Sequence, residues 1–298
     1  MAKLAVEVEH ALARRALTGA PGQATPRVLA RGDGWCATDV VCTSGPQDRR
    51  FEERHSNVSI AIVISGSFEY GSGRDRELMT PGSLLLGNPG QGFECGHEHG
   101  AGDRCVSFHF APDYFDELAA DAGAGGGKAR FRVLRLPPLR VLSPLIARVC
   151  AALGGSVAAS WEELGIELAE RTLRILGRLT PDPGAAPPSA VARVSRSVRM
   201  IERRPDEGHA LGSLAREAGL SPYHFLRTFR KLTGATPHQY VLRSRLREAA
   251  MSLSTDSARI LDIAFDSGFG DVSNFNRAFR AEFGVSPRVY RSRAGGRG

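Results

Sequence analysis

The sequence contains no apolar run approaching the roughly 18 residues that a membrane-spanning helix requires. A spanning segment is excluded, and no membrane partner is expected. Cysteine is sparse, with five in 298 residues, at positions 36, 42, 95, 105 and 150. That is too few for a disulfide scaffold and matches the usage of a reducing cytosol. An export signal is not expected either. The first residues, MAKLAVEVEHALARRALTG, carry Glu7, Glu9 and His10 where a signal peptide needs its apolar core. A cytoplasmic protein is therefore expected. Apolar material is not lacking. Hydrophobic residues make up 42 % and charged residues 24 %, a balance that excludes disorder throughout. The length suits two domains, each with its own core.

The net charge of +7 is unevenly placed. Residues 1–189 hold 20 Lys and Arg against 22 Asp and Glu, a net of −2, whereas residues 190–298 hold 19 against 10, a net of +9. An excess confined to the last third of the chain suggests a nucleic-acid-binding domain joined to a near-neutral one. The break falls at Pro181-Asp-Pro-Gly-Ala-Ala-Pro-Pro188, which can neither continue a helix nor enter a central strand. We place a first domain at 1–180, a Pro-rich linker at 181–189 and a second domain at 190–298.

Within the first domain, residues 35–110 read as short strands. Val58–Ile64 is β-branched, Phe68–Tyr70 follows Gly66, Leu84–Leu86 follows the Pro81-Gly82 turn, and Arg104–Phe110 alternates. This spacing predicts a small barrel or sandwich. Residues 139–179 read as helices with an apolar stripe through Leu164, Leu168, Leu173 and Leu176. The stripe is expected to serve as a dimer contact in preference to core. The overall class is α+β.

The basic third contains an internal repeat. HFLRTFRKLTGATPHQY (224–240) and NFNRAFRAEFGVSPRVY (274–290) share seven identities at an offset of 50. These are Phe225/Phe275, Arg227/Arg277, Phe229/Phe279, Arg230/Arg280, Gly234/Gly284, Pro237/Pro287 and Tyr240/Tyr290. Upstream the match continues at an offset of 49, through Leu214-Ala215 with Ile263-Ala264 and Gly219-Leu220 with Gly268-Phe269. Each copy reads as a short helix (near 211–218 and 260–267), a glycine turn, and a second helix. Ser221 caps the first of these second helices, with Pro222 at its first position. In the other copy Gly270 is expected at the cap and Asp271 as the first helical residue. Phe225 and Phe229 face inward. Tyr223, Arg227 and Arg230 lie on the opposite face, as do Ser273, Arg277 and Arg280. This is a helix-turn-helix, present twice. A helix begun by Thr236-Pro237 spaces the copies. At about 17 residues it spans roughly 25 Å, enough to set two recognition helices about one duplex turn apart.

These residues resemble the DNA-binding domain of the AraC/XylS family of bacterial transcription regulators across 190–292. The matching positions are Leu214-Ala215, Gly219-Leu220-Ser221, Phe225, Arg227, Phe229, Gly234, Pro237, Tyr240 and Arg245, then Ile263-Ala264, Gly268-Phe269, Phe275, Arg277, Phe279, Gly284, Pro287 and Tyr290. The resemblance implies a seven-helix domain reading two adjacent major grooves of a double-stranded operator. By motif position Tyr223, Leu226 and Arg227, then Val272, Ser273, Asn276 and Arg277, would face bases, with Arg230 and Arg280 on phosphates. Arg245 is as apt for an internal contact as for DNA. Ala210 departs from the usual Ser/Thr cap, at a cost of about 1 kcal/mol. The resemblance also implies a cupin-like sensor domain with a small-molecule effector, a homodimer formed by the helices after it, and an activation surface beside RNA polymerase. No enzymatic activity is expected. Glu53, His55 and Ser59 stand where a metal-binding cupin places His, His and Glu, so a cupin-type metalloenzyme is disfavoured, and an architectural protein without sequence preference is the other alternative. No cofactor is required. One cluster nonetheless suits zinc or another thiophilic metal: Cys95, His97, His99 and Cys105 within QGFECGHEHGAGDRCVSFHF. Arg104 lowering the Cys105 thiol pKa for redox sensing is the alternative use, and an ordinary loop with a buried cysteine is the plain one.

Overall fold

The computed structural model describes residues 2–122, 130–154, 160–177, 187–255 and 257–295. The chain opens with helix α1 (Ala2–Thr18), followed by β1 (Ala24–Gly32), β2 (Trp35–Cys42), β3 (Phe51–Arg54), β4 (Val58–Gly66), β5 (Phe68–Ser72), β6 (Asp75–Met79), β7 (Leu84–Gly87), β8 (Gly92–Gly96) and β9 (Asp103–Phe110). Helix α2 (Pro112–Asp121), the short β10 (Arg135–Leu136), α3 (Ser143–Leu153) and α4 (Trp161–Leu176) complete the first region. Two antiparallel sheets face one another, ordered β1-β2-β9-β4-β7-β10 and β3-β8-β5-β6. This is the small barrel or sandwich that the strand spacing predicted, in the cupin-like form that the resemblance implied.

The central strands of the six-stranded sheet are buried on both faces. On β4 the alternate residues Ala61 and Val63 point between the sheets with Phe68, Tyr70 and Cys105. Ile60, Ile62 and Ile64 point outward, beneath Leu145, Val149, Leu164 and Leu168 of α3 and α4. A strand sandwiched in this way reads as an unbroken apolar run. The stripe expected to be a dimer contact is accordingly core in large part. Leu164 and Leu168 are at most 1 % exposed, and α4 approaches so closely that a Cβ on Gly165 would lie 2.9 Å from the Phe108 ring. An outward row of isoleucines needed a cover, and the chain supplies its own.

Among the described residues the second region is seven helices: α5 (Pro188–Arg203), α6 (Leu211–Glu217), α7 (Pro222–Thr233), α8 (Pro237–Thr255), α9 (Ile260–Asp266), α10 (Val272–Phe283) and α11 (Pro287–Gly295). Of the linker expected at 181–189, residues 181–186 lie outside the described residues, and Pro188 already opens α5. Each half of the region has its own core. Val194, Val198, Leu214, Phe225 and Phe229 form one, and Leu246, Leu253, Ile263, Phe275 and Phe279 the other. Helix α8, at 19 residues and about 28 Å, contributes to both.

The two regions are in contact. Leu78 of β6 joins the first helical core, Ala147 of α3 joins the second, and Met251 of α8 packs into the barrel-side cluster. Arg243 Nη1 donates to Pro138 O at 2.7 Å. Near the end of α10, Glu282 accepts from the Ser143 hydroxyl and lies 3.8 Å from Arg140.

Candidate nucleic-acid interface and effector cavity

The seven repeat identities divide by what their side chains touch. Phe225 and Phe229 lie 5.5 Å apart, ring centre to ring centre, and Phe229 meets Tyr240 edge-on at 5.6 Å. Phe275 and Phe279 repeat this at 5.5 Å, and Phe279 meets Tyr290 at 5.3 Å. All four phenylalanines are fully buried, each contributing roughly 1.5–3 kcal/mol of apolar burial. Gly234 and Gly284 take the left-handed conformation that ends α7 and α10, at φ of 75° and 78°. Pro237 and Pro287 open the next helices. Five identities therefore build the fold. The other two, Arg227/Arg277 and Arg230/Arg280, are exposed in both copies, and folding gives no reason for their recurrence.

The turns are built alike. Gly219 and Gly268 adopt φ of 64° and 81°, and the following amides, Leu220 N and Phe269 N, donate back to Ala215 O and Ala264 O. Ser221 Oγ caps α7 by accepting from His224 N. The second cap corrects the expectation. Asp271 itself caps α10, accepting from Asn274 N, and Gly270 is the residue that lengthens the turn. Asp271 matches Ser221 at the offset of 50, so the whole insertion precedes the cap. Ala210 makes no side-chain cap bond, as expected. Thr236 and Gln239 cap α8 reciprocally, each amide donating to the other's side chain.

On the outer faces, Tyr223 is 64 % exposed, and Arg227, Arg230, Ser273, Asn276, Arg277 and Arg280 are exposed, with Leu226 and Val272 half-buried beside them. The Arg227 guanidinium sits over the Tyr223 ring at 5.7 Å, and Arg277 donates to Asn274 Oδ1 at 3.1 Å. His224 and Asn274, exposed in the first turns of α7 and α10, join these faces. They escaped the sequence reading, although the same offset aligns them. Arg245 does not belong to the surface. It donates to the carbonyls of Pro205, Gly268, Asp206 and Glu207, tying α8 to the turn of the second motif.

Inside the barrel lies a cavity of about 330 Å³ lined by both sheets, among its walls Thr38, Cys42, His55, Ser59, Phe93, Cys95, His97, Asp103, Cys105 and His109. The cupin position carries no ligand triad. His55 Nε2 shares a hydrogen bond with Tyr70 Oη at 2.8 Å, and Ser59 Oγ bonds to His109 Nδ1 at 3.1 Å. Burial, with a contribution from His109, pushes His55 down to about 4. The Cys95–Cys105 grouping is rearranged. Cys95, His97 and Cys105 line the cavity, while His99 is not among its walls. Arg104 points to the opposite face of β9, where its guanidinium grips Asp39 at 2.8 and 2.9 Å. Burial raises the Cys105 and Cys95 thiols well above their usual range. The redox mechanism through Arg104 is thus contradicted, because adjacent strand residues face opposite sides.

Comparison with known proteins agrees with this architecture. A helix-turn-helix domain family matches residues 214–293, and the AraC-like ligand binding domain family matches residues 39–169. The regulatory protein SoxS of Salmonella typhimurium is 34 % identical over 32 % of this chain and 90 % of its own length. The probable transcription factor PqrA of Proteus vulgaris is 37 % identical over 29 % of this chain and 70 % of its own. The chain belongs to the AraC/XylS family.

It also spans 61 % of the transcriptional activator AarP of Providencia stuartii, at 35 % identity. Among solved structures, the DNA-binding domain of AdpA in complex with a target DNA is 28 % identical over 35 % of this chain and 95 % of that one, with a TM-score of 0.34. Like its relatives, this AraC/XylS member is a DNA-binding transcription regulator, and it carries a ligand-binding domain ahead of the helix-turn-helix pair. No described helix is long and apolar enough to cross a membrane.

Proposed function

We propose that the protein is a cytoplasmic, signal-responsive transcription activator that reads two successive major-groove segments of its operator through α7 and α10. The observation that carries this reading is the recurrence of Arg227/Arg277 and Arg230/Arg280 on exposed helix faces whose inner faces repeat the same aromatic anchor. A guanidinium suits the O6/N7 edge of guanine. Tyr223, Leu226 and Arg227, and Val272, Ser273, Asn276 and Arg277, meet bases. Arg230 and Arg280 hold phosphates. The effector is a small molecule or ion in the barrel cavity. A change there reaches DNA through α3, whose Ser143 bonds to Glu282 near the end of α10, and so biases how the two regions are arranged. The working form is a homodimer that presents a surface to RNA polymerase.

Genome-wide mapping of bound sites, followed by footprinting against excess random DNA, tests this. A discrete footprint about two major-groove segments long per chain is expected. Diffuse protection that random DNA abolishes would instead indicate an architectural protein bound through shape and charge.

A further inference from the structure

At one end of the barrel the two sheets close on a buried thiol, imidazole and carboxylate. Cys42 ends β2, Asp103 begins β9, and the strand register sets the two opposite one another. His97, just past β8, arrives from the other sheet, its Nε2 2.6 Å from Asp103 Oδ1. One ligand atom from each of the three lies within 4.8 Å of the others, and all three residues are buried. The backbone is shaped around the cluster. A Cβ on Gly66, at φ of 79°, would lie 2.3 Å from Gly102 O and 2.7 Å from the Asp103 Cα, so only glycine lets β4 approach there.

Burying three such groups is costly unless something compensates. The hydrogen bonds present do not complete the compensation, because His97, only 5 % exposed, has a buried Nδ1 with no hydrogen-bond partner. Sulfur, nitrogen and oxygen donors together select zinc-class ions over magnesium or calcium. An ion bonded at about 2.0–2.3 Å holds its ligands roughly 3.3–3.8 Å apart, so the three ligand atoms are already near enough to converge, and the 2.6 Å His97–Asp103 hydrogen bond opens when both turn to the ion. A thiolate, a carboxylate and a neutral imidazole exactly neutralise a divalent charge in this dry setting.

We propose that Cys42, His97 and Asp103 bind one thiophilic divalent ion of the zinc class, with a fourth coordination position open to the barrel cavity. Binding releases the Cys42 thiol proton and the proton shared by His97 and Asp103 to solvent. The site uses different residues from the cupin position at His55 and Ser59, although all five line one cavity, and it does not depend on the DNA-binding reading.

The test uses the full-length protein, stripped with chelator under reducing conditions and titrated with cobalt(II), then zinc. One equivalent of cobalt per chain is expected, with a sulfur-to-cobalt charge-transfer band in the near ultraviolet that zinc abolishes. Cys42→Ser and His97→Gln should each weaken binding by at least about tenfold, whereas Cys36→Ser, at a cysteine outside the cavity walls, should leave it intact. Circular dichroism reports whether each variant is folded. If Cys42→Ser does not fold, zinc protection of the wild-type thiols from alkylation, mapped by mass spectrometry, decides. Protection of Cys42 supports the site, and protection of no cysteine or of others alone overturns it. Folded wild-type protein that takes up no cobalt, or a band that survives in folded Cys42→Ser, overturns it equally.

Discussion

Arg227 and Phe229 are two residues apart and have opposite fates. Phe229 is fully buried between Phe225 and Tyr240, so Phe229→Ala should cost about 3–5 kcal/mol in denaturant unfolding. Tyr223→Ala, on the exposed face, should stay within about 0.5 kcal/mol. Operator binding should invert the order. Arg227→Ala and Arg277→Ala should each weaken a gel shift on the mapped operator by about 1–3 kcal/mol, and Arg230→Ala should lower the salt slope by about one. An unchanged shift for Arg227→Ala would mean that α7 is turned away from the bases. The face assignments were legible in the sequence because helical periodicity and a repeated spacing act over a few residues. The role of Arg245 was not, since its carbonyl partners near 205–207 and at 268 come from distant turns.

At the scale of elements, the helix ends were foreseen where side-chain chemistry is local. Ser221 and Thr236 cap as expected. The exception, Asp271, came from placing the inserted residue one position late. Ala210→Ser should raise stability by about 0.5–1 kcal/mol by supplying the cap α6 lacks, and Asp271→Ala should lower it by about 1 kcal/mol. Both are read from thermal unfolding. Strand β1 went unnoticed because ATPRVLARG is mostly exposed, carries Pro26 and two arginines, and pairs on one side only, with β2. An edge strand of that kind has no buried face to impose an alternating pattern.

For the whole molecule, His55, one of two buried histidines among the described residues of the barrel, makes stability depend on pH. His55 is held down at about 4 by burial and the neighbouring His109, below the roughly 6.5 of a free imidazole. The unfolded chain therefore takes up a proton that the native state refuses. The sign follows: the His55 contribution is fully present above about pH 6.5 and declines as pH falls toward 4, by up to roughly 3 kcal/mol from this residue, whereas His97, pushed up to about 10 against its burial by the bond to Asp103, loses its contribution as pH rises above about 6.5. His109, also lowered by burial, acts in the same direction. Unfolding followed between pH 7 and 4 should show the loss, and His55→Gln should flatten it. An unaltered slope in that variant would assign the loss to other groups.

The sequence alone determined two motifs of the same design, the identity of their inner and outer faces, and a β-rich domain ahead of them, because each rests on short-range periodicity and turn chemistry. Tertiary structure decided what those signals could not reach. It turned the Leu164–Leu168 stripe into a cover for the outward isoleucines of β4. It also brought Cys42 opposite Asp103, 61 positions along the chain, and set His97 against both. Strand register and sheet closure depend on the packing of the entire barrel, so no local pattern in the sequence announces which thiol meets which imidazole.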